Sequence, residues 1–198
     1  MKKLNIYFFL FLLFFQAHSC ADDVYNLKIE GISLGDSLLN HLSKEEIIAE
    51  IENNKAAYNY LTDEFGEVYL YQDFEKYAVL AFKVKPKDKN YRIYSIKASN
   101  MYDDQLDMCT AKQKEIENEF SLMFNNAKKR KVTYTFPFDP SGESISINTM
   151  FTFKDKSQID INCTKYKKSL KIENGWQDAL QIIIQSKEVM SWHSNHIN

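Results

Sequence analysis

Arginine is nearly absent from this chain. Only Arg92 and Arg130 stand among 25 basic residues, the rest being lysine. A site that clamps carboxylate or phosphate between paired guanidinium groups is thereby disfavoured. Histidine is scarce as well: His18 lies in the leading apolar segment, leaving His41, His193 and His196. No run of the five glycines or three prolines marks a linker, so the chain reads as undivided. The patterns HExxH, GxSxG, GxGxxG and the P-loop do not occur, and the enzyme classes that depend on them are not indicated. Charge of one sign is lacking too. A formal net charge of −2 offers no basic excess for a nucleic acid.

What is present begins with the N-terminus. Lys2 and Lys3 precede the uncharged run Ile6–Phe15, and Ala17, Ser19 and Ala21 supply small residues for a cleavage point. The run falls short of the roughly 20 apolar residues of a membrane anchor, so residues 1–21 read as a secretory signal peptide. Cleavage fits after Ser19 or after Ala21. The second cut discards Cys20 and leaves Cys109 and Cys163, an even pair in an oxidising compartment. A competing reading makes Cys20 a lipidated N-terminal cysteine, although Ala17 stands where a lipoprotein box carries a leucine-like residue. Without Lys2 and Lys3 the mature net charge is about −4.

Residues 22–198 read as one α+β domain. Short helices come first. Asp36 or Ser37 can cap a turn carrying Leu38, Leu39 and Leu42, and Ser43 with Glu46 forms a capping-box pattern before Ile47, Ile48 and Ile51, ending at Asn53–Asn54. An antiparallel meander follows over Glu67–Tyr71, Tyr77–Lys85 and Tyr91–Ala98. Gln105–Lys128 is the longest helical pattern, with Cys109, Ile116, Phe120, Met123, Phe124 and Ala127 on one stripe. Asp103, Asp104 and Asp107 near its start, and Lys128–Lys131 at its end, suit the helix dipole. A second antiparallel meander is expected over Val132–Pro137, Ser144–Phe153, Gln158–Tyr166 and Trp176–Gln185. In it Ile159, Ile161 and Cys163 share one face. A helix packed on the sheet would then bring Cys109 and Cys163 together, and a disulfide between them is expected.

The pattern Ile29-Glu-Gly31, Ser33, Gly35-Asp-Ser-Leu-Leu39, then Ser43-Lys-Glu-Glu-Ile47, resembles the N-terminal signature of a family of small secreted proteins from marine alphaproteobacteria. The likeness is clear over residues 22–52 and looser, by order of elements, to about residue 125. It implies a signal peptide, strands and then a cysteine-bearing helix, and it implies no activity. The element order also resembles the helix-then-meander modules of outer-membrane assembly lipoproteins and β-lactamase-inhibitor-like proteins, at the level of fold alone.

Candidate chemistry is thin. His193 and His196 could share a helix face and hold a metal, but a solvated tail is the plainer reading. The pairs Asp103–Asp104 and Glu45–Glu46 suit helix starts better than acid–base work. Lys128–Lys131, and Lys165, Lys167, Lys168 and Lys171, could meet an anionic lipid or polysaccharide, or could simply be solvated. Tyr58, Tyr60, Tyr69, Tyr71, Tyr77, Tyr91 and Tyr94 could form a partner face or merely suit strands. No catalytic, cofactor or metal residue is assigned. The expected function is a secreted or periplasmic, non-enzymatic binding module associated with an envelope protein or anionic surface. No nucleic acid and no transmembrane segment after signal removal are expected. A small inhibitor or outer-membrane assembly factor is the second reading, and a hydrolase of unrecognised type the third. An exposed aromatic patch would favour binding; a deep polar pocket would favour catalysis.

Overall fold

Seven stretches rich in β-branched and aromatic residues become the strands of one antiparallel sheet in this computed structural model, which describes residues 24–57 and 63–196. Residues 1–21, with both cleavage positions and Cys20, lie outside the described residues, as do Tyr58 and Tyr60. The strands are β1 (Gly66–Leu70), β2 (Val79–Val84), β3 (Ile93–Met101), β4 (Lys128–Thr135), β5 (Ile145–Thr152), β6 (Gln158–Lys165) and β7 (Ala179–Gln185). The helices are α1 (Lys44–Ala57), α2 (Leu106–Met123), α3 (Lys168–Asn174) and α4 (Lys187–His196). The fold is therefore α+β, with α1, α2 and α4 packed on the sheet.

The two meanders do not stay separate. Strand order is β1-β2-β3-β7-β6-β5-β4, so the last strand enters between β3 and β6 and fuses both halves. Its composition explains the place it takes. Leu180, Ile182 and Ile184 face α2, while Ile183 occupies the opposite face, as suits a strand flanked on both sides. Register aligns Ile96, Ile184, Ile159 and Phe151 in one row across four strands, all fully or almost fully buried. Onto that row α2 lays Ile116 and Phe120, and the Phe120 ring meets Phe151 edge to face at 6.2 Å.

Cys109 and Cys163 are joined by a disulfide, with Cα atoms 5.9 Å apart. Helical period places Cys109 inward and strand alternation does the same for Cys163, so the bridge ties α2 to β6. One turn further along α2, buried Gln113 donates its Nε2 hydrogens to the carbonyls of Ile147 and Ile161 at 2.8 and 2.7 Å. Helix α1 covers the far end of the same face through Ile47 and Ile51. Its approach requires Gly66, because a Cβ there would lie 2.6 Å from Ile51 Cγ1. The Ser43–Glu46 capping box forms. Ser43 N donates to Glu46 Oε2 at 2.8 Å, and Glu46 N donates to Ser43 Oγ at 3.3 Å.

Several expectations are corrected. Lys128–Lys131 is not a helix end, since α2 stops at Met123 and the four cations open edge strand β4. Charged side chains suit an edge, where they discourage pairing with another chain. Lys129 and Lys131 also face α2 and pair with the largely buried Glu117 at 3.1 and 2.5 Å. Burial alone would raise the Glu117 carboxyl, yet hydrogen bonds from Lys131 and Lys129 hold it low. Asp103 and Asp104 do not cap α2. Asp103 accepts from the Asp178 amide and Asp104 pairs with Lys171, at 3.1 and 2.8 Å. The segment 38–42 gives only a 3-10 turn at Leu38–Asn40, with Ser37 donating instead to the Asn90 carbonyl at 2.6 Å. The last strand begins at Ala179, three residues after Trp176, because Lys168–Asn174 forms α3. Residues 187–196 form a helix, not a solvated tail, anchored by buried Val189 and Trp192.

Candidate binding surface

One end of the sheet gathers four aromatic rings. Phe136 and Phe138 follow β4, Tyr166 follows β6, and Trp176 lies in the connection from α3 to β7. Phe136 stacks on Phe138 at 4.9 Å and on Tyr166 at 5.5 Å. Trp176 closes the circuit, 5.1 Å from Phe138 and 5.0 Å from Tyr166. The rings fill one another's gaps and leave their outer surfaces to solvent: Phe138 is 48% exposed and Trp176 37%. Ile172, on α3 between Tyr166 and Trp176 in the chain, is 77% exposed. Large apolar side chains concentrated this way are unusual on a water-facing surface without a partner.

Local sequence builds this pole rigidly. Asp139 closes the β4–β5 hairpin by accepting from Ser141 Oγ and the Ser144 amide, at 2.6 and 2.7 Å. Those bonds hold its carboxyl well below the ordinary aspartate range. Buried Asp178 does the same work for the neighbouring connection. It accepts from the Tyr166 amide at 2.8 Å, the Asp104 amide at 3.1 Å and Lys171 Nζ at 2.9 Å. Gly175, at φ +68°, ends α3 in the left-handed conformation and turns the chain so that Trp176 meets the other rings.

The lysine cluster singled out in the sequence is engaged with carboxylates, and Lys171, Lys168 and Lys165 all help hold the Asp104 carboxyl low. Lys167 pairs with Glu143 at 3.1 Å, and Lys171 pairs with Asp104 and Asp178. Lys165 and Lys168 make no ion pair among the described residues. Among the described residues the tyrosines, by contrast, do not gather into one patch. Tyr69 and Tyr71 stack at 6.1 Å near strand β1, while Tyr94 meets Phe65 beneath α4 at 5.6 Å. Sequence reasoning missed the aromatic pole. Its signal was Phe136-Pro137-Phe138 running into the turn Asp139–Gly142, large apolar residues where a solvated loop would carry polar ones.

The face of the sheet turned away from α2 is polar. At one end buried Glu67 accepts from Lys83 at 2.9 Å and Lys97 at 2.8 Å. Burial works against ionisation there, but the two ammonium groups win and hold Glu67 down to about 2. Asp160 lies on the same face of β6 and receives only Gln158 Nε2, at 2.8 and 3.1 Å, among the described residues. Burial therefore pushes its carboxyl up to about 6. Burial and the nearby charge of Lys83 push His193 down to about 4, with Glu67 opposing them, so its ring is neutral near pH 7. His196 Nδ1 sits 3.0 Å from the Trp192 carbonyl. No group of three or more His, Cys, Asp or Glu that could hold a metal occurs among the described residues. Glu46, of the acidic pair Glu45–Glu46, is engaged by the Ser43 cap. Among the described residues no helix is long and apolar enough to cross a membrane.

Comparison with known proteins adds one similarity. No family model matches the chain, and no solved structure matches it. Over 140 residues it is 27% identical to serine-aspartate repeat-containing protein C of Staphylococcus aureus, in strains MW2 and MSSA476. The alignment covers 63% of this chain, which spans about 15% of the length of those curated relatives.

Proposed function

We propose that this chain is an exported, non-enzymatic binding module that works at the cell envelope through its aromatic pole. The observation that carries the reading is the exposure of Phe138 and Trp176 on a rigid footing. A preorganised apolar surface binds without first ordering its loops, and aromatic residues are enriched where partners dock. Export is supported by the charge and apolar order of residues 1–21 and by the disulfide, a bond favoured in oxidising compartments.

Two measurements test it. When the full-length chain is expressed and exported, N-terminal sequencing should begin at Asp22, or at Cys20 if the lipoprotein reading holds; an intact Met1 on the folded protein would overturn export. The purified mature protein should co-sediment with cell-envelope fractions, and a Phe138→Ser/Trp176→Ser variant with unchanged melting should not. Equal sedimentation of that variant would show that the aromatic pole is not the binding surface.

A further inference from the structure

One edge of the sheet is closed and the other is open. At β1 the outward backbone groups are answered by α1: the Tyr69 amide donates to Glu50 Oε2 at 3.1 Å, and Asn54 Nδ2 donates to the Glu67 carbonyl at 2.9 Å. At β4 nothing comparable occurs among the described residues, and seven of its eight residues are exposed. We infer that the free edge of β4 takes up an extended acidic segment of a partner protein, which joins the sheet as one more strand. None of the four rings takes part, so this surface is additional to the aromatic pole.

Register says which backbone groups are available. The Phe136 amide donates to the carbonyl of Ser144, directly opposite it, at 3.3 Å, in step with the pairing of Thr135 and Ile145. Bonded and non-bonded pairs alternate along an antiparallel ladder, so Lys128, Arg130, Val132 and Tyr134 bond to β5. Lys129, Lys131, Thr133 and Thr135 turn their N–H and C=O groups outward. An extended guest can satisfy all of these at once. Main-chain bonds of this kind supply affinity, while alternate side chains supply specificity.

Charge complementarity selects the guest. Four consecutive cations open β4, and the only carboxylate paired with them among the described residues is Glu117, shared by Lys129 and Lys131 on the α2 side. Lys128 and Arg130 lie on the opposite face and make no ion pair among the described residues. That face of the strand reads Lys128, Arg130, Val132, Tyr134. A neutral or basic strand added here would cover two unpaired cations, which is how lysines on an edge deter indiscriminate pairing. A strand with carboxylates opposite Lys128 and Arg130, and apolar residues opposite Val132 and Tyr134, turns that cost into cross-strand attraction.

Capped peptides of about nine residues serve as probes, with tyrosine, valine, glutamate and glutamate at alternate positions and threonine between them. One is made in each chain direction, so that both strand polarities are offered, and a further peptide carries lysine in place of both glutamates. In amide-resolved NMR of the oxidised mature protein at low salt, a glutamate peptide should bind and protect the amides of Lys129, Lys131, Thr133 and Thr135 from exchange. The lysine peptide should not bind. Lys128→Gln/Arg130→Gln should weaken binding about three- to tenfold. Thr133→Pro removes an outward donor that the fold does not use, a change that edge strands tolerate, and should weaken binding at least about tenfold. The exchange pattern decides even where the proline variant melts lower. Failure of both glutamate peptides to bind, binding that leaves those four amides unprotected, or equal binding of the lysine peptide would overturn the inference. So would a dimer whose outward β4 amides are protected before any peptide is added, since the edge would then belong to a second copy. Envelope binding through Phe138 and Trp176 can succeed or fail without changing any of these results.

Discussion

Asp160 offers the sharpest test of the electrostatics. It lies on β6, in register with Ile183 of β7 and Met150 of β5, two side chains that give an ionised carboxylate nothing. Glu67, on the same face, has two lysines; Asp160 has one amide. Its carboxyl is accordingly pushed up to about 6, above the value it has in an unfolded chain. Between about pH 4 and pH 6 the folded state holds a proton that the unfolded state has released, so stability falls as pH rises through that window. Above it the cost is complete, about 3 kcal/mol for a displacement of this size. Asp160→Asn keeps the shape and the acceptor for Gln158 while removing the charge. It should stabilise the protein by up to about 3 kcal/mol near pH 7.5 and by almost nothing near pH 3.5. Urea unfolding of both proteins at the two pH values, with the disulfide intact, measures the difference. Coincident midpoints near neutral pH, or the same gain in acid, would refute the argument.

Other consequences can be checked by the same assay. Replacing Cys109 and Cys163 together by alanine opens a link between positions 54 residues apart, and should cost about 4 kcal/mol if loop entropy dominates. An unchanged urea midpoint would show that the denatured chain is not constrained by the bridge. Ser43→Ala removes the side-chain half of the α1 cap and should cost about 1 kcal/mol, read as a lower midpoint with an unchanged slope.

Local periodicity carried much of this fold. The helical stripe of α2 and the alternation of β6 each turned one cysteine inward, and their meeting followed from helix packing on sheet. Pairing between distant strands was not legible in the same way. Nothing in Ala179–Gln185 by itself names β3 and β6 as neighbours, because a strand's partners are chosen by the whole sheet. The cations at 128–131 misled because a helix end and an edge strand both welcome lysine. Helix α4 is only ten residues long and buries just Val189 and Trp192, too few positions to announce a period. The aromatic pole draws its rings from three separate connections, so its parts were visible and their convergence was not.

The place of β7 also governs the order in which the molecule can be completed. During synthesis the first meander can form early, but β3 then presents an unpaired edge, and so does β6 once the second meander forms. Both edges stay open until residues 179–185 arrive, and each is a template for pairing with the wrong chain. The disulfide partners, Cys109 and Cys163, both precede that strand. Oxidation can therefore fasten α2 to β6 while the sheet is still in two pieces, holding the core side of β6 covered until the closing strand enters.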